Sequence, residues 1–143
     1  PNPYFMDNLP TDAGVLMAFF AAYMLFITPI IILIIVAGWR LFTKAGQPGW
    51  AVLIPFYNLY VYTQVLRRPK WWILLYLIGT VPFAGPWAML FVSIIDALRL
   101  AKVFRKPPVF GVGILLLGVV FIPVLAFGSA EYDPMSVDES ELI

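Results

Sequence analysis

Lys44-Ala-Gly-Gln-Pro-Gly-Trp-Ala-Val-Leu-Ile-Pro-Phe-Tyr-Asn-Leu-Tyr-Val-Tyr-Thr-Gln-Val-Leu-Arg-Arg-Pro-Lys70 is apolar enough to enter a bilayer, yet Pro48, Gly49, Pro55 and Asn58 interrupt it and cations close both ends. The six residues Trp50 to Pro55 would rise only about 9 Å as a helix, against the roughly 30 Å of a hydrocarbon core. They cannot cross alone. Tyr57, Tyr60 and Tyr62 follow, rings that favour headgroup depth, and then Arg67, Arg68 and Lys70. If the segment spanned, those three cations would lie outside; if it dipped and returned, or lay in the interface, they would lie inside. The positive-inside rule favours the second arrangement.

Working outward, the stretch sits in a chain of 143 residues, 62% hydrophobic and 12% charged, with mean hydropathy +0.92. Soluble domains carry about 25% charge, so the chain reads as an integral membrane protein. Every Lys and Arg falls between Arg40 and Lys106, whereas the acids other than Asp96 lie near the ends. This segregation is a topology signal and supplies no basic tail or groove for nucleic acid. There is no Cys and no His. Thiolate or imidazole catalysis, disulfides and the common zinc, haem and iron-sulfur ligand sets are therefore excluded from this chain by itself, and no cofactor is expected.

Before the stretch, residues 1–13 lack cations and hold Tyr4 and Phe5, which suits an exported segment. The chain starts at Pro1, which fits a removed signal peptide. Gly14 to Trp39 is an uncharged run of 26 residues, long enough for a full span, with Pro29 a kink point. Arg40 and Lys44 place its end in the cytoplasm.

After the stretch, Trp71 to Ala97 is broken near its middle by Gly79, Pro82, Gly85 and Pro86. Pro86 to Lys106 has the periodicity of an amphipathic helix, suited to the cytoplasmic interface, with Arg99, Lys102, Arg105 and Lys106 facing lipid headgroups. Phe110 to Phe127 is an uncharged run of 18 residues, expected as a last span returning to the outer face, and residues 129–143 are expected to form an acidic, disordered tail there. Aliphatic-proline-apolar triplets recur at Ile54-Pro-Phe56, Val81-Pro-Phe83 and Ile122-Pro-Val124. A faint repeat of that kind resembles the paired broken segments of transporters.

The expected fold is all-α: a polytopic membrane protein with two full spans bracketing two Pro/Gly-broken re-entrant or interfacial segments. The alternative makes the broken segments spans too, giving four transmembrane helices. The membrane domain is expected over residues 14–128, in the bacterial inner membrane, with both termini on the non-cytoplasmic side.

Three residues are candidates for a polar transport or structural site. Asp96, the one acid in an apolar segment, would mark an ion path or pair with Arg99 three residues on. Asn58 would serve a substrate or turn the backbone beside Pro55. Arg67, Arg68 and Lys70, with Lys102, Arg105 and Lys106, are candidates for topology and lipid headgroup contact.

From Arg40 to Tyr132 the chain resembles a family of small bacterial membrane proteins with a domain of unknown function, some of which carry the label signal peptidase I. The likeness rests on Phe42-Thr-Lys-Ala-Gly-Gln-Pro-Gly-Trp50, Ile54-Pro-Phe-Tyr-Asn58, Pro69-Lys-Trp-Trp72, Leu100-Ala-Lys-Val-Phe104 and Leu125-Ala-Phe-Gly-Ser-Ala-Glu-Tyr132. Ala84-Gly85-Pro86 departs from the family, where the second break resembles the first and carries Asn. The resemblance implies the inner membrane and no particular activity. Peptidase chemistry needs a serine beside a lysine of lowered pKa. Ser93 and Lys102 lie about 13 Å apart along one helix, so an enzyme is not expected. The expected function is an accessory or scaffold subunit of a larger inner-membrane complex, its partners being lipids and either a larger membrane protein or further copies of itself. The alternatives are a small oligomeric transporter or channel at the broken helices, and a lipid-binding or membrane-shaping protein.

Overall fold

In a computed structural model, residues 12–138, 140 and 141 are described; the exported segment expected over 1–13 lies almost wholly outside them. The described residues form helices and turns without a strand, as expected of an all-α chain. Five α-helices follow one another: α1 Asp12–Lys44, α2 Tyr57–Val65, α3 Ile73–Ile78, α4 Ala84–Val103 and α5 Pro108–Phe127. By length and composition α1, α4 and α5 could each cross a membrane. The chain divides within α1 into two compact units, 1–32 and 33–143.

In the first unit the helix exposes Leu16, Met17, Phe19, Phe20, Tyr23 and Phe26. A helix apolar all round belongs in an apolar medium. The helix is longer than the expected span, continuing through Arg40 to Lys44 before it stops.

The second unit is built from reversals. At three points a helix ends in a positive-φ residue: Gly46 (φ 72), Arg67 (φ 52) and Arg105 (φ 54). Each closes with the same bond pair, Gln47 N to Phe42 O with Gly46 N to Thr43 O, Arg68 N to Thr63 O with Arg67 N to Gln64 O, and Lys106 N to Ala101 O with Arg105 N to Lys102 O. These are Schellman ends, and Pro48, Pro69 and Pro107 follow them, where proline prevents continuation.

Between these ends the chain doubles back. In the first hairpin (residues 45–68) a 3₁₀ turn, Gly49–Leu53, leads away from the basic end and α2 returns to it. Trp50 stacks on Tyr57 across the hairpin at 5.3 Å. In the second (69–106), α3 leads away and α4 returns. Gly85 sits where a Cβ would come within 2.6 Å of the Gly79 carbonyl, so the tight return requires glycine. The two apices have one geometry. Phe56 (φ 61, ψ −49) and Phe83 (φ 64, ψ −52) are the centres of γ-turns, in which Tyr57 N donates to Pro55 O and Ala84 N to Pro82 O. The Ile54-Pro-Phe56 and Val81-Pro-Phe83 triplets are therefore a repeat in conformation as well as in sequence.

The third triplet does not share it. Pro123 lies inside α5, and the break falls at Leu117 (φ −137, ψ 50). The rings of Phe110 and Phe121 meet edge-on at 5.1 Å, although a straight helix would separate these residues by about 16 Å along its axis. Gly113 makes room for the returning Phe121 ring. The halves before and after Leu117 rise about 13 and 15 Å, each short of a hydrocarbon core. The run has the length and composition of the expected last span, but it breaks at Leu117 instead of at the kink expected at Pro123 and closes a third hairpin (108–127).

The described residues of the tail, expected to be disordered, pack on the basic end. Asp133 N donates to Val103 O at 2.6 Å, Ser136 Oγ to Lys102 O at 3.1 Å and Tyr132 Oη to Val65 O at 2.8 Å. Ala130 and Val137 enter the same core as Phe42, Leu66 and Phe104, so tail and hairpins form one compact unit.

Candidate functional site

Two cations organise the basic end by capping helices. The carbonyls of a helix's last turn have no partner within the helix and carry the negative end of its dipole. Lys44 Nζ, at the end of α1, donates to the carbonyls of Leu125 (2.8 Å), Gly128 (2.7 Å) and Ala130 (3.0 Å) at the end of α5. Arg99, in α4, is 0% exposed. Its Nε donates to Leu66 O at 2.6 Å and an Nη to Arg67 O at 3.0 Å, both just beyond α2, while the same guanidinium reaches Asp138 O at 2.6 Å and Glu141 O at 2.5 Å in the tail. One side chain thus ties three segments together through carbonyls alone, using the fork of donors that only arginine has.

Asp96, one helical turn before Arg99, does not pair with it. It is 3% exposed and belongs to a second buried cluster contributed by the start of the second hairpin. Tyr76 Oη donates to Asp96 Oδ2 at 2.6 Å and Trp72 Nε1 to the same oxygen at 3.4 Å. Arg68 Nε faces Oδ1 at 3.5 Å, with the guanidinium 4.1 Å over the Trp72 ring. Oδ1 accepts no hydrogen bond, a deficit that costs about 1–3 kcal/mol in a buried group.

Beside Asp96 lies a cavity of about 350 Å³, with Tyr62, Tyr76, Ser93 and Asp96 on its polar side and Leu59, Met89 and Ile114 on its apolar side. All three hairpins contribute to it. Among the described residues the Tyr62 and Ser93 hydroxyls have no hydrogen-bond partner. Helical spacing along α4 puts Ser93, Asp96 and Ala97 on one face; the opposing aromatics come from α2 and α3.

The remaining candidates are placed differently. Asn58 follows the first apex, half-buried, its amide N bonded to Ile54 O at 2.8 Å; its side chain has no hydrogen-bond partner among the described residues. It lines neither polar cluster. Arg67 donates to Pro134 O at 3.0 Å. Lys102 pairs with Glu141 at 3.0 Å and Arg105 with Asp133 at 2.8 Å. Lys70 is exposed, and Lys106 lies 5.8 Å over the Phe110 ring. The polar face expected to lay α4 in the interface is therefore turned inward at Asp96 and Arg99. The hydrogen bond from Arg105 holds the Asp133 carboxyl below the usual carboxylate range, and that from Lys102 does the same for Glu141. Burial pushes the Tyr132 phenol up.

Reading by sequence distance missed Arg68 as the partner of Asp96 and the tail carbonyls as the acceptors of Arg99. The available signal was Arg99 itself, a cation in a largely apolar segment that had to find acceptors. Among the described residues no group of three or more acidic, His or Cys side chains is placed to hold a metal. Among known families, the model of a family of unknown function, DUF5684, matches residues 50–134. No curated protein and no solved structure matches the chain.

Proposed function

The chain belongs to the family of unknown function DUF5684, and we propose that it is a non-enzymatic accessory or scaffold subunit of a larger bacterial inner-membrane complex. The observation that carries this reading is the use made of Arg99 and Lys44. Both cations are consumed in joining helix ends to one another and to the tail. Lys102 is engaged by Glu141, so neither lysine amine waits as a base beside a serine hydroxyl. In this reading α1 crosses the bilayer with Arg40 and Lys44 at its cytoplasmic end, and the three hairpins re-enter the cytoplasmic leaflet with their apices in hydrocarbon. The tail then lies in the cytoplasm with the cations, so only the N-terminal side is exported. The apolar circumference of α1 from Leu16 to Phe26 is the surface offered to a partner helix.

Purification from native membranes in mild detergent, followed by mass spectrometry, tests the reading. A larger membrane protein at fixed stoichiometry, lost when Phe19, Phe20 and Phe26 are changed to leucine, is the expected result. Recovery of the chain alone or only with itself would overturn it. The second reading, a small transporter, is favoured by the cavity at Asp96. Flux that disappears in Asp96→Asn at unchanged expression would put it first.

A further inference from the structure

We propose that the face of α1 opposite Ala37 and Leu41 holds one anionic phospholipid, its phosphate on the Arg40 guanidinium and an acyl chain along Ile35, Val36 and Trp39. The inference takes from the scaffold reading only the crossing of the bilayer by α1, and it stands whether or not a protein partner exists.

A groove of about 400 Å³ runs between Ile35, Val36, Trp39, Arg40 and Thr43, which helical spacing puts on one broad face, away from the buried Ala37 and Leu41. All five border one open space, so a molecule lying against the first three meets Arg40 directly. The volume is within the range of small-molecule sites. Arg40 is the first charge after the uncharged run from Gly14 to Trp39. The groove therefore passes from hydrocarbon to headgroup depth, the level that suits a tryptophan such as Trp39. An apolar channel that ends in a cation has the order of a lipid, acyl chain and then phosphate.

Charge selects the class. Arg40 is exposed, donates no hydrogen bond to a described residue and meets only the Phe127 ring, at 5.5 Å. One turn on, Lys44 uses three N–H donors on the carbonyls of Leu125, Gly128 and Ala130, which satisfy its hydrogens without neutralising its charge. None of the ion pairs among the described residues includes either cation. Like charges four residues apart on a helix repel, and Lys44 lies within the field of Arg40. A net negative headgroup relieves both, whereas a zwitterionic one brings its own ammonium to them. The guanidinium supplies the fork of donors that suits phosphate. Arg67, Lys102 and Arg105, expected at the headgroups, are instead engaged by the tail.

The test is native mass spectrometry of the full chain in mild detergent, titrated with phosphatidylglycerol or with phosphatidylcholine of the same acyl chains. Expected is one phosphatidylglycerol held about fivefold more tightly than phosphatidylcholine, the effect of one basic residue near an anionic surface. Arg40→Gln, a change at an exposed position, abolishes that preference; Arg40→Lys keeps most of it, and Lys70→Gln, outside the groove, leaves it unchanged. Glycerol 3-phosphate does not displace the lipid. Equal retention of the two lipids, or a preference that survives Arg40→Gln, overturns the proposal. So does an equal loss in Lys70→Gln, which would make the attraction one of overall charge. Displacement by glycerol 3-phosphate overturns it in favour of a free phosphate ester. The readout is lipid on the chain itself, so the absence of a protein partner, which overturns the scaffold reading, leaves this result as it stands.

Discussion

The two ends of the hairpins reverse the chain with similar economy and opposite chemistry. At the basic end, Gly46, Arg67 and Arg105 take positive φ inside Schellman bonds, and the cations around them are engaged by carbonyls and carboxylates. At the apices, Phe56 and Phe83 take positive φ inside γ-turns and are themselves 74% and 93% exposed. Non-glycine residues in such regions cost about 1–3 kcal/mol each. The basic end meets that cost with a network of hydrogen bonds, and the apices have only their own turns to offset it. The fold is held at one end and presented at the other.

The contrast can be broken most severely at Arg99. Arg99→Met removes the donor from the carbonyls of Leu66, Arg67 and Asp138 and leaves Glu141 O with Arg68 alone, and we expect a loss of about 3 kcal/mol or more in thermal stability in detergent. Arg99→Lys recovers little, because one nitrogen cannot span the four acceptors. A melting temperature unchanged in Arg99→Met would mean that the basic end is not what holds the unit. Gly85→Ala probes the second apex from within. Its Cβ meets the backbone carbonyls of Gly79 and Ile78 at 2.6 and 2.8 Å, so a loss of about 1–3 kcal/mol is expected from overpacking.

Phe83→Gly sharpens the comparison in the other direction. It removes the positive-φ penalty while adding chain entropy to the unfolded state, terms of about 1 kcal/mol that oppose each other. The melt should stay within about 1 kcal/mol of the parent, whereas Phe83→Ala keeps the strained backbone and should gain nothing.

The smallest effect is in pH. Asp133 and Glu141 have folded carboxyl pKa values depressed by Arg105 and Lys102. Their contribution is complete above the unfolded carboxylate value of about 4 and is lost as pH falls through the depressed folded values. Amide exchange in residues 131–138 should quicken at that acidic step while α4 stays protected. Exchange that quickens as pH rises through neutrality would contradict the assignment.

These contrasts mark what the sequence could express. Pro48, Gly49 and Pro55 announced a broken first segment, and the repeated aliphatic-proline-phenylalanine triplet announced two like apices, because proline fixes φ locally. The uncharged run after Gly14 announced α1. Leu117 announced nothing. Its break depends on Phe121 reaching Gly113, a contact between the arms of the fold, while Pro123 drew attention to the wrong turn. The docking of the tail was hidden for a related reason: its key acceptors are backbone carbonyls at Asp138 and Glu141, which every residue has. Asp96 and Arg99 were legible as candidates, but their partners lie far along the chain, and spacing of three suggested a pair that the structure does not form.

The claim that most needs testing is that the tail and the cations share one side of the membrane. The chain has no cysteine, so Lys70→Cys and Ser129→Cys, both at exposed positions, can be labelled singly in intact cells with an impermeant maleimide. The account predicts that neither reacts until the cells are permeabilised, and that both then react. Labelling of Ser129→Cys from outside, with Lys70→Cys protected, would mean that Pro108–Phe127 crosses the membrane after all and would contradict the folded third hairpin.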